Sequence, residues 1–225
     1  MDDVTRTETM KFLEMMENLK LLNIYLDEEG KDAFETLKNK PDTSSWRKLA
    51  GIVLAQLILF NRRRAGEAER IEISQYLQGL KVGGEVQEDI YSSLSRFEKK
   101  LVETLNRVEI RGKRGRRVPI LFTNAQKSRI DLLIQTRGKC DIDKKNIYVF
   151  ARCGQSTTPL RSSDILRKFA KECGAKNPEH LTSTSLRKHI ATVSQILSLK
   201  ENEMDALAGF LGHDIRVHRE FYRLP

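Results

Sequence analysis

The segment from Phe210 to Pro225, FLGHDIRVHREFYRLP, concentrates side chains that are able to do phosphate chemistry. His213 can donate or accept a proton, Tyr222 carries a hydroxyl that can act as a nucleophile, and Arg216 lies between them with a fixed positive charge. Two interpretations are open. Either this is a surface helix with a solvated basic face and Tyr222 fills the core, or His213 and Tyr222 are catalytic groups and the arginine lies near phosphate.

A second basic cluster, Arg62, Arg63 and Arg64, follows the most apolar run of the chain, Leu49 to Phe60. Arginines at the C-terminus of a helix often only complement the helix dipole and stay solvated. Arg64 also begins the sequence RAGE, which ends in Glu67. The spacing alone therefore leaves both a solvated cluster and an anion-binding arginine open.

A third cluster is the turn RGKRGRR, which contains Lys113. A basic turn of this kind either touches phosphate or serves as a localisation signal. The arginines of the turn are Arg111, Arg114, Arg116 and Arg117.

The segment LTSTSLRKHIATVSQIL has the periodicity of a helix with one buried stripe. The stripe consists of Leu186, Ile190, Val193 and Leu197. Arg187 lies at the edge of that stripe, where a guanidinium is costly to bury unless it has a fixed partner. His189 is predicted to be a solvated surface histidine.

The composition indicates a polyanionic partner. The chain of 225 residues has 40 Lys+Arg against 31 Asp+Glu and a formal net charge of +9, which favours nucleic acid or an anionic membrane surface. The apolar run Leu49 to Phe60 contains Gln56 and is too short for a spanning helix, which needs ~20 residues. No signal peptide is recognisable, so we expect a protein that is not secreted and has no membrane partner.

The cysteines and histidines favour no metal site. Cys140, Cys153 and Cys173 have no CxxC spacing and are typical of free thiols in a reducing compartment. His213 and His218 are not at the spacing that puts two ligands on one helix face, and no HExxH motif is present. We therefore expect neither a metal nor another cofactor.

The elements that must position these residues follow from hydrophobic periodicity and turn residues. A helix is predicted over 4–40, and a second helix from an N-cap at Ser44 or Ser45 to about Asn61. The second helix is apolar over most of its surface, which places it at the centre of the core. The alternating segments RVEIRG and RRVPILFT predict a β-hairpin over 107–122, and NIYVFARCG predicts a short strand over 146–154.

Further helices are predicted at 73–80, 85–104, Asn124 to about Thr136, 162–173, 183–198, 201–211 and 214–223. The expected fold class is mainly α with a small β-sheet (α+β).

Taken together, and in this order, the basic segments resemble the catalytic domain of the tyrosine recombinases (phage integrases). The resemblance rests on Arg64 in RAGE, a lysine in a β-turn, Arg187 in LRK, and LGH followed nine residues later by Tyr222. It covers 44–225, so that 1–43 is expected to be an N-terminal helical segment, a remnant of a core-binding domain or a linker. The phrases LRKHIATVSQ and FLGHDIRVHREFYRLP are most similar to Crypton-like recombinases of animal genomes.

The resemblance implies a role for each residue. Tyr222 would attack the scissile phosphate and form a 3′-phosphotyrosyl link, with no need for metal or ATP. Arg64 and Arg187 would stabilise the charge of the transition state. Lys113 would protonate the leaving 5′-oxygen, and His213 would hydrogen-bond a phosphate oxygen.

The sequence departs from the family pattern at Thr184, which stands where a histidine is usual, three residues before Arg187. Threonine cannot act as a base near neutrality. The proton of the nucleophile would go to water, to the phosphate or to His180, or activity has been lost. The chain also ends at Pro225, directly after Tyr222, where relatives usually continue with a further helix, and 1–43 is too short for the usual N-terminal domain.

The implied partner is double-stranded DNA. Backbone contacts are expected from the basic residues around the site, which are Arg111, Arg114, Arg116, Arg117, Lys188 and Arg216. Recombination would need four subunits on two duplexes, although the chain without a terminal helix could be a monomer. The nucleus is the expected compartment if the source is eukaryotic, and the cytoplasm otherwise. Two alternatives share these features, namely a domesticated DNA-binding protein with little or no activity and a type IB topoisomerase-like nicking-closing enzyme.

Overall fold

The computed structural model describes residues 3–62, 64–82, 92, 99, 103–111 and 117–196. The helices in these ranges are α1 (Asp3–Asn39), α2 (Thr43–Asn61), α3 (Ala65–Glu69), α4 (Ile73–Val82), α5 (Asn124–Thr136), α6 (Ser162–Glu172) and α7 (Ser183–Ile196). Two strands, β1 (Leu105–Arg111) and β2 (Arg117–Thr123), form an antiparallel sheet. Short 3₁₀ turns lie at Arg137–Lys139 and Pro178–His180. The predicted class, mainly α with a small sheet, is confirmed.

Helix α2 is the centre of the core, as its composition predicts. Its residues from Leu49 to Leu57 are fully buried except for Gln56, which is 7% exposed. The surrounding elements that pack on it are α1, α5, α6 and β2. Because it is covered on all sides, α2 needs apolar residues around its whole circumference and not only on one face.

The start of α2 differs from the prediction by a few residues. Asp42 is the N-cap and accepts a hydrogen bond from the backbone N–H of Ser45 at 2.8 Å. The hydroxyl of Ser45 accepts one in return from the N–H of Asp42 at 3.3 Å. The prediction of Ser44 or Ser45 as the cap was therefore wrong, because Ser45 is the third helical residue of a capping box.

The hairpin lies where it was predicted, and its two strands are one to two residues longer than the predicted range. Val108 pairs with Ile120 and Ile110 with Val118, and these side chains are buried. Its tip, residues 112–116, lies outside the described residues.

The strand predicted over 146–154 is absent from the structure, where this segment forms only isolated bridges such as Tyr148 with Glu72. The amide of Asn146 donates to the carbonyls of Ser156 and Thr158 at 2.8 and 2.9 Å, and the guanidinium of Arg137 donates to the carbonyl of Tyr148 at 2.7 Å. The backbone of the segment pairs at single points with Ile71, Ile73 and Thr158, and the Arg137 side chain satisfies a further carbonyl, so no continuous strand pairing forms. Val149 and Phe150 are fully buried, which explains the apolar pattern without a strand.

Helix α1 packs against α2, α5 and α6. Its buried side chains recur at helical spacing and join the core, and they are Leu19, Leu22, Leu26, Ala33 and Leu37. The division of the chain into 1–43 and 44–225 stays a prediction. The helices predicted at 201–211 and 214–223, and most of that at 85–104, lie outside the described residues. Within the described ranges no helix is both long enough and apolar enough to span a membrane.

Candidate active site

The C-terminus of α2 turns sharply at Arg62. This residue has a φ of 51°, in the left-handed region, and its backbone N–H donates to the carbonyl of Ile58 at 2.9 Å. Its side chain folds back so that Nε donates to the carbonyl of Leu59, also at 2.9 Å. A C-cap in this conformation is usually glycine, so the arginine is held there by its own side chain. The turn directs the chain into Arg64 and α3.

Asn61 connects this turn to the hairpin. Its Nδ2 donates to the carbonyl of Leu121 in β2 and its Oδ1 accepts from the N–H of the same residue, both at 2.8 Å. Nδ2 also donates to the carbonyl of Leu57 at 3.0 Å. Asn61 is only 1% exposed. A buried amide therefore pairs with a strand as a neighbouring strand would, and it fixes the end of α2 relative to the hairpin that carries Lys113.

Arg64 is the N-cap residue of α3 and has a side chain that is 43% exposed. Its Nη1 lies 3.8 Å from Oε1 of Glu67, and its carbonyl accepts the N–H of Glu67 at 2.9 Å. The carboxylate of Glu67 is buried. The RAGE sequence thus places a buried negative charge behind an arginine whose guanidinium still reaches solvent.

Helix α3 is held in turn by α6. Oε2 of Glu69 accepts hydrogen bonds from the backbone N–H of Ser162 at 2.9 Å and from its hydroxyl at 2.6 Å. Ser162 is the first residue of α6, whose own N-cap residue, Arg161, makes no side-chain cap bond. Glu69 therefore caps α6 from another element, and a carboxylate is favoured at a helix N-terminus.

Helix α7 carries the other candidate arginine. Oγ1 of Thr182, directly before the helix, accepts from the N–H of Ser185 at 3.2 Å. Leu186 is fully buried, whereas Arg187 is half-buried with its Nε atom inside the protein. Of the predicted stripe, Leu186 is buried as expected, and the side chains of its other members lie outside the described residues. Thr184 and Lys188 are exposed.

The end of α2 meets the middle of α7 through Arg62 and His189. Nη1 of Arg62 lies 3.3 Å from Nδ1 of His189. Because a guanidinium has only donors, Nδ1 must be the acceptor and the neutral imidazole carries its proton on Nε2. Burial and the positive charge of Arg62 lower the pKa of His189 to about 4. Burial also lowers the pKa of Arg62.

The prediction that His189 is a solvated surface residue was wrong, because the side chain is only 8% exposed. Helical spacing contains the missing signal, since His189 follows the fully buried Leu186 by three residues. The interpretation of the cluster after α2 as a solvated group does not hold for Arg62, which is half-buried against α7. Nothing in the sequence pattern indicated this pair.

The remaining candidates are only partly described. Lys113, Arg114, Arg116, His213, Arg216 and Tyr222 lie outside the described residues. Arg111 ends β1, and the exposed Arg117 opposite it has its Nη1 3.7 Å from Oε2 of Glu109. His180 is exposed in the 3₁₀ turn before α7, with its Nε2 4.0 Å from Oε1 of Glu179. The described residues contain no group of three or more His, Cys, Asp or Glu side chains placed to hold a metal ion.

Comparison with known proteins gives a fold and no close relative. By sequence the chain matches no protein-family model and no curated protein. By structure it is similar to XerH site-specific recombinase bound to palindromic difH substrate in a post-cleavage complex, with a TM-score of 0.52, 17% identity, and coverage of 85% of this chain and 47% of that one. The pre-cleavage complex of XerH with difH substrate gives a TM-score of 0.53, 17% identity, and coverage of 88% and 49%. The chain has a tyrosine recombinase fold.

The chain spans about half the length of the XerH chains to which it is similar. The contact between α2 and α7 joins the two segments that contain Arg64 and Arg187, two of the residues that the sequence motifs single out. Arg64 follows Arg62 by two residues, and Arg187 precedes His189 by two. The special similarity to Crypton-like recombinases stays a prediction.

Proposed function

We propose that the protein cleaves and rejoins DNA strands through a covalent link between Tyr222 and a DNA 3′-phosphate. The observation that carries the proposal is the contact between Arg62 and His189, with 3.3 Å between Nη1 and Nδ1. It brings the segment of Arg64 and the segment of Arg187 to one place in a tyrosine recombinase fold. Two fixed positive charges on neighbouring segments suit a phosphate whose negative charge increases during the reaction.

The reaction balances without an external reagent. The phenolic oxygen of Tyr222 bonds to the scissile phosphorus, and the bond from phosphorus to the 5′-oxygen breaks. The leaving oxygen takes a proton, for which Lys113 on the hairpin is the proposed donor. The product holds a phosphotyrosyl ester and a free 5′-hydroxyl, and attack by a 5′-hydroxyl on that ester restores the DNA backbone. Bond energy is conserved in the ester, so the cycle consumes no ATP.

Arg64 and Arg187 are proposed to bind the non-bridging oxygens of the phosphate, and His213 is proposed to add a hydrogen bond. The exposed fraction of Arg64 leaves its guanidinium accessible to DNA, while Glu67 limits its orientation. Loss of one such preorganised donor lowers the rate by about 10²–10³-fold, or on the order of 3–4 kcal/mol in the barrier.

Removal of the proton from Tyr222 is the step for which the sequence offers no histidine at the usual position. A phenol titrates near ~10, and the exposed Thr184 offers a hydroxyl in place of a basic imidazole. His180 is exposed and lies four residues before Thr184, in the turn that precedes α7. In the proposal, water, the phosphate or His180 takes the proton.

The partner in this proposal is duplex DNA in the nucleus, recognised largely through its backbone. The proposed contacts come from the basic residues Arg111, Arg114, Arg116, Arg117, Lys188 and Arg216. The net charge of +9 supports salt-dependent binding without sequence preference. Complete recombination would need four copies on two duplexes, in keeping with an origin among Crypton-like transposon recombinases.

A second candidate function is DNA binding without cleavage, as in a domesticated recombinase. Thr184 favours it, because a threonine at this exposed position cannot remove the proton of the nucleophile. Both candidates share the same fold and the same basic surface, so only a test of covalent chemistry separates them.

The test uses nicked suicide duplexes, from which the cleaved 5′ end diffuses away so that a tyrosyl adduct is trapped. Since the target sequence is unknown, a pool of random duplexes is used at low salt. A covalent protein–DNA band that is lost in Arg187→Ala and retained in Lys31→Ala, a change at an exposed lysine of α1 outside the proposed contacts, is the expected result. DNA binding without any band would support the second candidate and contradict the first.

A further inference from the structure

The outer face of α1 carries an apolar stripe that no described element covers. Most of the large hydrophobic residues that are exposed in the described part of the chain lie on this helix, with exposed fractions between 42% and 63%. We name them the outer stripe, and they are Met10, Leu13, Met16, Leu21 and Ile24. An apolar patch of this kind on a soluble protein marks an interaction surface.

The outer stripe lies opposite the face by which α1 joins the core. The inward side chains Leu19, Leu22 and Leu26 are buried against the rest of the protein. At 100° per residue, Leu13 and Ile24 lie about half a turn away from Leu22. The stripe is therefore not needed to attach α1, and it is open to a partner in the part of the chain that the structure describes.

Three residues of the outer stripe, together with two charged residues between them, have the spacing of a helix-pairing seam. Met10, Leu13, Glu17, Lys20 and Ile24 follow one another at alternating three- and four-residue steps, which is the pattern of two helices that wrap around each other. Glu17 and Lys20, both exposed, occupy the middle of the seam. A partner must therefore offer apolar residues opposite Leu13 and Ile24 and opposite charges at the centre.

A second copy of the same helix, running in the opposite direction, meets this requirement. In the antiparallel register that places Leu13 opposite Ile24 of the second copy, Glu17 lies opposite Lys20 of the second copy. Two-fold symmetry repeats both pairs. In a parallel pair, by contrast, Glu17 would face Glu17 and Lys20 would face Lys20, which is unfavourable.

We propose that two copies of the protein associate through antiparallel pairing of their α1 helices along the outer stripe, with Glu17 of each copy paired with Lys20 of the other. The seam is short, so the dimer is weak. It should form at about 100 µM and dissociate near 1 µM, as expected for an interface below the standard size. Since this surface faces away from α2, pairing requires no DNA and does not depend on strand cleavage.

The test is sedimentation of the complete chain in the absence of DNA over this concentration range. The wild-type protein should shift from monomer to dimer. Glu17→Lys and Lys20→Glu should each weaken the dimer at least tenfold, because each places like charges opposite each other in both central pairs. Lys11→Glu is the control, because it changes the net charge as Lys20→Glu does but lies on the opposite side of α1. It should leave association unchanged.

Exchanging the charges of Glu17 and Lys20 tests whether the two α1 helices pair in the antiparallel orientation. The double variant Glu17→Lys/Lys20→Glu should recover the wild-type dimer, and an equimolar mixture of the two single variants should form a heterodimer. Leu13→Ser together with Ile24→Ser should abolish association while circular dichroism remains unchanged. A wild-type monomer at all concentrations, or a dimer that neither single charge variant weakens, would overturn the proposal.

Discussion

Nη1 of Arg62 lies 3.3 Å from Nδ1 of His189, and this contact connects the end of α2 with α7. Arg62 is further held by its bond to the carbonyl of Leu59. A neutral imidazole is a suitable partner here, because it accepts from the guanidinium without adding a second charge to a buried place. We propose that the pair is a positioning contact for Arg64 and Arg187, each of which is two residues away.

Replacement of His189 should affect cleavage more than DNA binding. His189→Leu removes the acceptor for Arg62, so that the relative positions of Arg64 and Arg187 are less well fixed and the cleavage rate falls by roughly 10–100-fold. His189→Asn, which offers an oxygen near the position of Nδ1, should recover most of the rate. Single-turnover cleavage and DNA affinity are measured side by side. Equal rates for the Leu and Asn variants would contradict a positioning role.

The same histidine should make stability depend on pH. Its pKa falls from 6.5 in the unfolded chain to about 4 in the folded protein, so the unfolded state binds more protons between these values. The contribution is complete above pH 6.5 and is lost as the pH falls toward 4, at no more than about 1.4 kcal/mol per pH unit. In urea unfolding at several pH values over this range, the free energy of unfolding should change less with pH for His189→Asn than for the wild type.

The control for that titration is His180→Gln, since His180 is exposed. The free energy of unfolding of this variant should change with pH as that of the wild type does. If His189→Asn and the wild type lost stability in parallel between pH 6.5 and 4, the buried neutral histidine would not be the cause.

Asn61 should be among the polar residues most important for stability. Asn61→Ala leaves the N–H and the carbonyl of Leu121 without their partner in a buried place, which costs about 2–4 kcal/mol in the free energy of unfolding. Asn106→Ala, at the more accessible end of the hairpin, should cost less than about 1 kcal/mol. Chemical denaturation compares the two, and equal losses would mean that Asn61 does not hold the hairpin to α2.

Gly79 allows α4 to lie close to β1. A Cβ at this position would be 3.0 Å from Cγ2 of Val108 and 3.1 Å from its Cα, so the helix must move away from the strand. Gly79→Ala should therefore lower the free energy of unfolding by about 1–3 kcal/mol, although alanine is the better helix former. Gly138→Ala, where a Cβ meets nothing within 4 Å, is the control and should stay within about 0.5 kcal/mol of the wild type. A more stable Gly79→Ala variant would contradict the close approach.

The elements that could be predicted from the sequence are those with a strong local signal. Asn124–Thr136 and the hairpin were confirmed because a capping box and alternating residues around a basic turn specify them locally. The segment 146–154 was misjudged because its backbone pairs at single points with residues distant in sequence, such as Ile71 and Ile73, and not with a continuous strand. The pairing of Arg62 with His189 depends on how α2 and α7 pack, which no local pattern contains.

Of the candidate site, the sequence indicates the motif residues but not the residues that hold them in place. The order of the motifs predicts roles for Arg64 and Arg187, which stay predictions, and the described structure brings the segments that carry them into contact. Asn61 and Glu69, which hold those segments, were not found, because a buried asparagine and a carboxylate that caps another helix have no signature in one sequence. Their function is visible only through partners from other parts of the chain.

The most direct test of the central claim is to identify the amino acid that becomes linked to DNA. Adducts trapped on suicide duplexes are digested with nuclease and protease, and the nucleotide-bearing peptide is sequenced by mass spectrometry. We predict a phosphodiester-linked nucleotide on Tyr222, and no adduct in Tyr222→Phe, while Tyr148→Phe reacts as the wild type does. An adduct on another residue, or retained cleavage in Tyr222→Phe, would contradict the account.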